Sequence, residues 1–226
     1  MARLVRFWKP WGVLSQFTDG EGRPTLADFI DVPDVYAAGR LDMDSEGLLL
    51  LTDSGPLSTR IAAPRRHMSK HYLALVEGEP SAAGLKALRR GVALQDGRAR
   101  ALAVDVVSEP GLPPREPPPK PRPGRSTVWV RIVVDEGRNR MVRRMLAHVG
   151  TPVLRLVRDR IGEFSLRNLA PGAWSIEVLH APTPGALNRR VRASANQPPR
   201  RDRPAATRSS KRRRPGVPSS RKRRGS

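Results

Sequence analysis

The run Leu48-Leu49-Leu50-Leu51 constrains the fold more than any other stretch of the chain. It is short, apolar without alternation, and closed by Asp53-Ser54-Gly55, so it reads as a strand buried on both faces. Directly before it, Gly39 to Glu46 forms a polar, glycine-bounded loop that carries Arg40 and three carboxylates, Asp42, Asp44 and Glu46. A charged loop fixed onto a core strand is how a scaffold holds a reacting group rigidly. Carboxylates in a turn are more often simply solvated, so the rest of the chain has to decide between the two readings.

Charge narrows the partner. Lysine and arginine number 42 against 21 acids, a net +21. Of these, 15 basic residues and one acid stand in 189–226, which still leaves +7 on the first 188 residues. A basic body, and not only a basic tail, points to a polyanion. The absence of cysteine excludes disulfides, thiolate metal sites and a cysteine nucleophile. Lys9 and Pro10 interrupt the N-terminus before any apolar stretch of signal length, and no stretch approaches the length of a membrane span. The expectation is a soluble, cytoplasmic monomer.

The remaining chain alternates strand and helix signals. Arg3 to Trp8 reads as a first strand, broken by Lys9-Pro10-Trp11-Gly12. Thr25 to Ile30 is a short helix or turn, and Pro56 to Ala63 a helix with proline at its first position. Arg65, Arg66, His67, Lys70 and His71 form a basic cluster running into a strand at Tyr72–Val76. Ser81 caps a helix that stops at Gly91, and Val92 to Val107 holds strands around the Asp96-Gly97 turn. Eight prolines in 110–124 exclude helix and central strand and predict a stiff, extended surface loop. Thr127–Val134, Val153–Val157 and Trp174–Leu179 read as later strands, and from about Gly185 the composition predicts disorder.

A second constellation spans 135–150. Met141, Val142, Met145, Leu146 and Val149 share one helical face, ended by Gly150 and Pro152, while Arg138, Arg140, Arg143 and Arg144 cluster at the helix start. Positive charge is disfavoured at a helix N-terminus unless an anion is present. That points to phosphate, to a carboxylate partner, or to both.

These residues carry a resemblance. Gly39-Arg40-Leu41-Asp42 followed by Asp44-Ser45-Glu46-Gly47 and the leucine run resembles the catalytic motif of bacterial ribosomal pseudouridine synthases. That family acts on small-subunit rRNA (type A) and on large-subunit rRNA (types B, E and F). Glu136-Gly137-Arg138-Asn139-Arg140 with Val142-Arg143-Arg144-Met145 resembles a second motif of the family, and Lys9-Pro10-x-Gly12 and Lys70-x-Tyr72 resemble two smaller ones. All four stand in order between Val5 and Val178. With no S4-type RNA-binding domain ahead of Lys9, the chain is most similar to a large-subunit type.

The resemblance implies an α+β fold, a mixed and mostly antiparallel sheet with helices and long loops around a central cleft. It would occupy 1–184 and leave 185–226 as a basic tail. It implies isomerisation of one uridine of large-subunit (23S) rRNA to pseudouridine, without cofactor or metal and without a membrane. Asp42 matches the catalytic aspartate, as nucleophile on the sugar carbon or as base for a neighbouring sugar proton. Arg143 matches its basic partner, expected within salt-bridge reach, and Tyr72 the residue stacking on the flipped base. Arg65, Arg66, Lys70, Arg138, Arg140 and Arg144 are candidates to grip RNA phosphates, and Arg40 to touch RNA or brace the loop. Two departures from the family pattern, Met43 and Met141, fall outside the residues assigned to chemistry.

Two other readings compete. A non-catalytic rRNA-binding or ribosome-assembly protein accounts for the basic charge but not for an acidic loop. A magnesium nuclease would use Asp42, Asp44 and Glu46 as oxygen ligands.

Overall fold

The computed structural model describes residues 2–62 and 68–179. Among these described residues the backbone is one mixed sheet of nine strands with three helices and a small separate hairpin. In chain order the sheet strands are β1 (Ala2–Lys9), β2 (Tyr36–Ala37), β3 (Glu46–Thr52), β4 (Lys70–Glu77), β7 (Ala103–Val107), β8 (Thr127–Val134), β9 (Val153–Ile161), β10 (Phe164–Ser165) and β11 (Trp174–Leu179). β5 (Val92–Leu94) and β6 (Gly97–Ala99) make the hairpin. The helices are α1 (Gly55–Ala62), α2 (Ala82–Arg90) and α3 (Met141–His148). Thr25 to Ile30 resolves into a single 3-10 turn, Leu26–Asp28, closed by a capping box between Thr25 and Asp28.

The sheet order is β11-β1-β3-β9-β4-β8-β7, with β2 paired to β3 and β10 to β9. Every pairing among the described strands is antiparallel except one: β3 and β9 run parallel, with Glu46 opposite Val157 and Gly47 opposite Arg158. The four leucines of β3 are fully buried and split by the two-residue period of a strand. Leu49 and Leu51 enter the core on one face with Phe7, Met145 and Leu146. Leu48 and Leu50 enter the core on the other face with Trp8, Ile61 and Val157. Each such side chain contributes roughly 1.5–3 kcal/mol by burial, so the strand that carries the acidic loop is anchored from both sides.

Two features go beyond what the sequence suggested. β9 continues past Val157 to Ile161 and carries Arg155 and Arg158, both buried. The proline-rich stretch 110–124 contains no helix or strand, as expected, yet it is tied down. Arg155 donates to the Pro113 carbonyl, Arg122 pairs with the buried Glu77 carboxylate, and the Arg115 guanidinium sits 5.3 Å from the Trp11 ring centre. The basic residues Arg65 and Arg66 and the tail 185–226 lie outside the described residues.

Candidate active site

The loop between β2 and β3 is fixed through its backbone. Ser45 N–H donates to the Asp42 carbonyl at 3.0 Å, closing a turn. The flanking carbonyls each accept from a distant part of the chain. Arg158 reaches the Arg40 carbonyl at 3.3 Å, and Ser15 Oγ the Leu41 carbonyl at 2.6 Å. Gly12 N–H reaches the Met43 carbonyl at 2.8 Å, and Arg143 Nη2 the Asp44 carbonyl at 2.7 Å. Five consecutive carbonyls, 40 to 44, are thereby satisfied. Satisfied carbonyls of this kind hold the loop backbone in one conformation.

Beneath it lies Lys9, whose Nζ donates to the carbonyls of Pro10 and Val13 at 2.8 Å and approaches that of Met43 at 3.5 Å. The side chain is fully buried. Burial drives its pKa down to about 7, against the upward pull of Glu46 and Asp44.

The three carboxylates of the loop have separate fates. Glu46 is buried in a bidentate pair with Arg155, Oε1 at 2.9 Å from Nε and Oε2 at 2.8 Å from Nη2. Asp44 receives both Arg140 terminal nitrogens at 2.9 Å and lies 3.5 Å from Arg143 Nη2. Burial by itself would raise the Asp44 pKa; the Arg140 hydrogen bonds and the Arg143 charge outweigh it and hold the carboxyl below its ordinary value. Among the described residues no ion pair engages Asp42. The three acids therefore do not converge as a magnesium site would require, since Glu46 and Asp44 are bound by arginines.

Asp42 lines a cleft of about 580 Å³. Its other walls come from distant parts of the chain: Lys70 and Tyr72 on β4, Arg158 on β9, and Arg138 to Val142 where α3 begins. Tyr72 is almost entirely buried and offers only its cleft-facing surface. Burial, and then the charge of Arg158, push Lys70 below the usual lysine pKa. Arg40, Lys70, Arg138 and Arg140 all line this cleft.

Arg143 differs from expectation. It stands behind the loop and not in the cleft, and its ion-pair partner within 4 Å is Asp44, not Asp42. Asp42 is close enough for its charge to act on Arg143 and Arg140, but what Arg143 grips is the loop backbone, through the Asp44 carbonyl and Ser45 Oγ. The physical reason is the turn at 42–45, which points the Asp44 carbonyl toward α3 and leaves the Asp42 side chain to the cleft.

The arginines at the start of α3 also find protein anions. Arg144 makes a bidentate pair with Asp96 at 2.7 and 2.8 Å, and Arg138 donates to the Asp96 and Arg98 carbonyls. Both arginines thus clamp the β5–β6 hairpin to the rim of the cleft. Of the partners raised by the helix start, carboxylates are present for Arg140 and Arg144. Residue 140 itself is left-handed (φ 48°, ψ 26°), a strained setting for a non-glycine residue, held by the Asp44 bridge. Sequence reasoning missed Arg155 and Arg158. The available signal was two cations inside an apolar strand, which require buried partners.

Known proteins resemble this chain in sequence and in fold. A family model described as RNA pseudouridylate synthase matches residues 4–148. The ribosomal large subunit pseudouridine synthase E of Vibrio vulnificus (strain CMCP6) is 51% identical over 172 residues, which cover 76% of this chain and 74% of that protein. The protein of the same name from Xanthomonas campestris pv. campestris is 50% identical over 184 residues, covering 80% of this chain and 98% of the relative. A solved structure described as a pseudouridylate synthase superposes with a TM-score of 0.63 at 26% identity, covering 79% of this chain and 71% of the other. The motifs, the mixed sheet with its central cleft and these matches agree: the chain is an isomerase that belongs to the RNA pseudouridylate synthase family.

Proposed function

We propose that this enzyme converts a uridine of large-subunit rRNA to pseudouridine in the cleft between β3 and β4, with Asp42 as the catalytic carboxylate. The observation that carries the proposal is the division of labour among the loop acids. Glu46 and Asp44 are engaged by arginines, and Asp42, in the same rigid loop, faces the cleft opposite Tyr72. The relatives named as large-subunit enzymes support that RNA as the substrate. The target base leaves its stack at a cost of about a few kcal/mol and meets the Tyr72 ring. The N–C glycosidic bond breaks, the uracil turns, and a C–C bond forms to the same sugar carbon. Reactant and product are isomers, so no co-substrate is consumed. Asp42 acts on the sugar carbon as nucleophile or on a neighbouring sugar proton as base. Arg143 is a positioning residue that fixes the loop. Lys70, Arg40 and Arg140 supply positive charge around the phosphates, and Arg138 and Arg144 shape the rim by holding the hairpin.

The test is pseudouridine mapping on a large-subunit rRNA transcript and on ribosomal particles, with wild type and Asp42→Asn side by side in the presence of a chelator. One new pseudouridine with wild type is expected, with a rate at least about 10²–10⁴-fold lower for the variant. Full activity of Asp42→Asn would remove Asp42 from the chemistry. Tight RNA binding with no isomerisation on either substrate would favour an assembly role.

A further inference from the structure

Beside the cleft lies a second hollow, of about 320 Å³, lined by Trp11, Met43, Asp44 and Arg140. It shares Arg140 with the cleft, and Met43 is the immediate neighbour of Asp42. Its volume lies within the usual span of small-ligand sites, about 300–1,000 Å³. We propose that this hollow is a subsite for an unpaired nucleobase flanking the target uridine, stacked on Trp11 and Met43. The inference rests on the RNA-modifying function proposed above.

Four observations carry it. First, neither Trp11 nor Met43 belongs to either hydrophobic core, and Met43 is 38% exposed, so packing of the fold accounts for neither. Second, the indole is braced by a guanidinium. Arg115 sits over the ring at 5.3 Å and is itself held by the carbonyls of Pro117 at 2.8 Å and Leu154 at 3.3 Å. Arg115 does not line the hollow, so the ring carries the guanidinium on one side and offers remaining surface to an incoming group. A pre-ordered aromatic loses little entropy when a second ring stacks on it. Third, the bond from Gly12 N–H to the Met43 carbonyl locks the Trp11 turn to the acidic loop, so the platform and Asp42 keep a fixed spacing. Fourth, guanidinium groups outnumber the one carboxylate: Asp44 in the wall is paired with Arg140 and lies 3.5 Å from Arg143, and Arg115 stands behind the ring. An aromatic face and a thioether beside guanidinium groups suit a base on a phosphate backbone better than an aliphatic or acidic ligand. A strand whose uridine enters the cleft passes Arg140, and its next base then meets Trp11.

The test uses the full-length protein and a synthetic RNA hairpin carrying the mapped uridine, with the 5′ or 3′ neighbour either intact or abasic. Trp11→Ala should raise KM by about 5- to 100-fold, the worth of one base–aromatic stack, with kcat within about twofold. Trp11→Phe should recover most of the loss, and Met43→Ala should move KM in the same direction as Trp11→Ala. On the RNA lacking the relevant neighbour, wild type should show the same loss and Trp11→Ala no further one. An unchanged KM for Trp11→Ala, or an equal loss on both abasic RNAs, would overturn the subsite. Equilibrium binding of a short single-stranded oligonucleotide and its fully abasic counterpart, on the Asp42→Asn protein, separates this inference from the functional reading. If no uridine is isomerised but a preference for bases persists and requires Trp11, the subsite stands and the functional reading falls. If that preference is absent or indifferent to Trp11, the subsite falls.

Discussion

A lysine with no exposed surface sits directly under the acidic loop, and its cost has a measurable signature. The unfolded chain keeps this proton to about pH 10, whereas folded Lys9 releases it near 7. Between those values the unfolded state binds more protons, so stability rises with pH, with a contribution of up to about 1.4 kcal/mol per pH unit. Urea unfolding at pH 7 to 10 should show this rise in wild type relative to Lys9→Met; a flat difference between the two proteins would refute the role of Lys9. The Glu46–Arg155 pair makes a second residue-scale case. Glu46→Gln leaves a buried guanidinium without its counter-charge, a loss of roughly 3–5 kcal/mol in denaturant titrations. Replacing both partners with well-packed apolar residues should recover much of that stability while still lowering activity, because the pair also fixes the start of β3.

At the scale of elements, the junction of β3 and β9 is the tightest constraint. A Cβ on Gly47 would lie 2.3 Å from the Arg158 carbonyl oxygen, and the residue has φ 109°, so only glycine lets the parallel strands meet here. Gly47→Ala should cost on the order of 1–3 kcal/mol in thermal or urea unfolding and reduce isomerisation by displacing the loop that follows Asp42. Wild-type stability and rate for this variant would show that the strands part without consequence. Much of this level was legible in the sequence. The leucine run, the Ser81 cap with its Gly91 stop and the alternation in β8 all have local signals that match the elements formed. What local patterns did not contain was pairing between distant charges. Arg155 finds Glu46 across 109 positions, and Arg143 chooses Asp44 over Asp42 because of a turn whose direction no periodicity encodes. The motifs marked Asp42 and Tyr72, and the fold brought them to one cleft; the motifs could not say which arginine supports the loop and which lines the cleft.

For the molecule as a whole, charge sets the terms of encounter. The segment 189–226 carries 15 basic residues and one acid. Its removal should flatten the dependence of log binding constant on log salt while leaving kcat unchanged, because released counterions set that slope; equal slopes with and without it would deny the segment a role in RNA binding. The sheet order has a different consequence. β9 stands between β3 and β4, so among the described strands it alone joins the group that presents Asp42 to the group that presents Tyr72 and Lys70. It is also one of the last strands in the chain. Joining of these two groups is therefore expected to wait, during folding, for residues 153–161 to insert between them. Refolding followed by intrinsic fluorescence and by isomerisation should accordingly show activity returning only with the phase in which β9 becomes protected from hydrogen exchange.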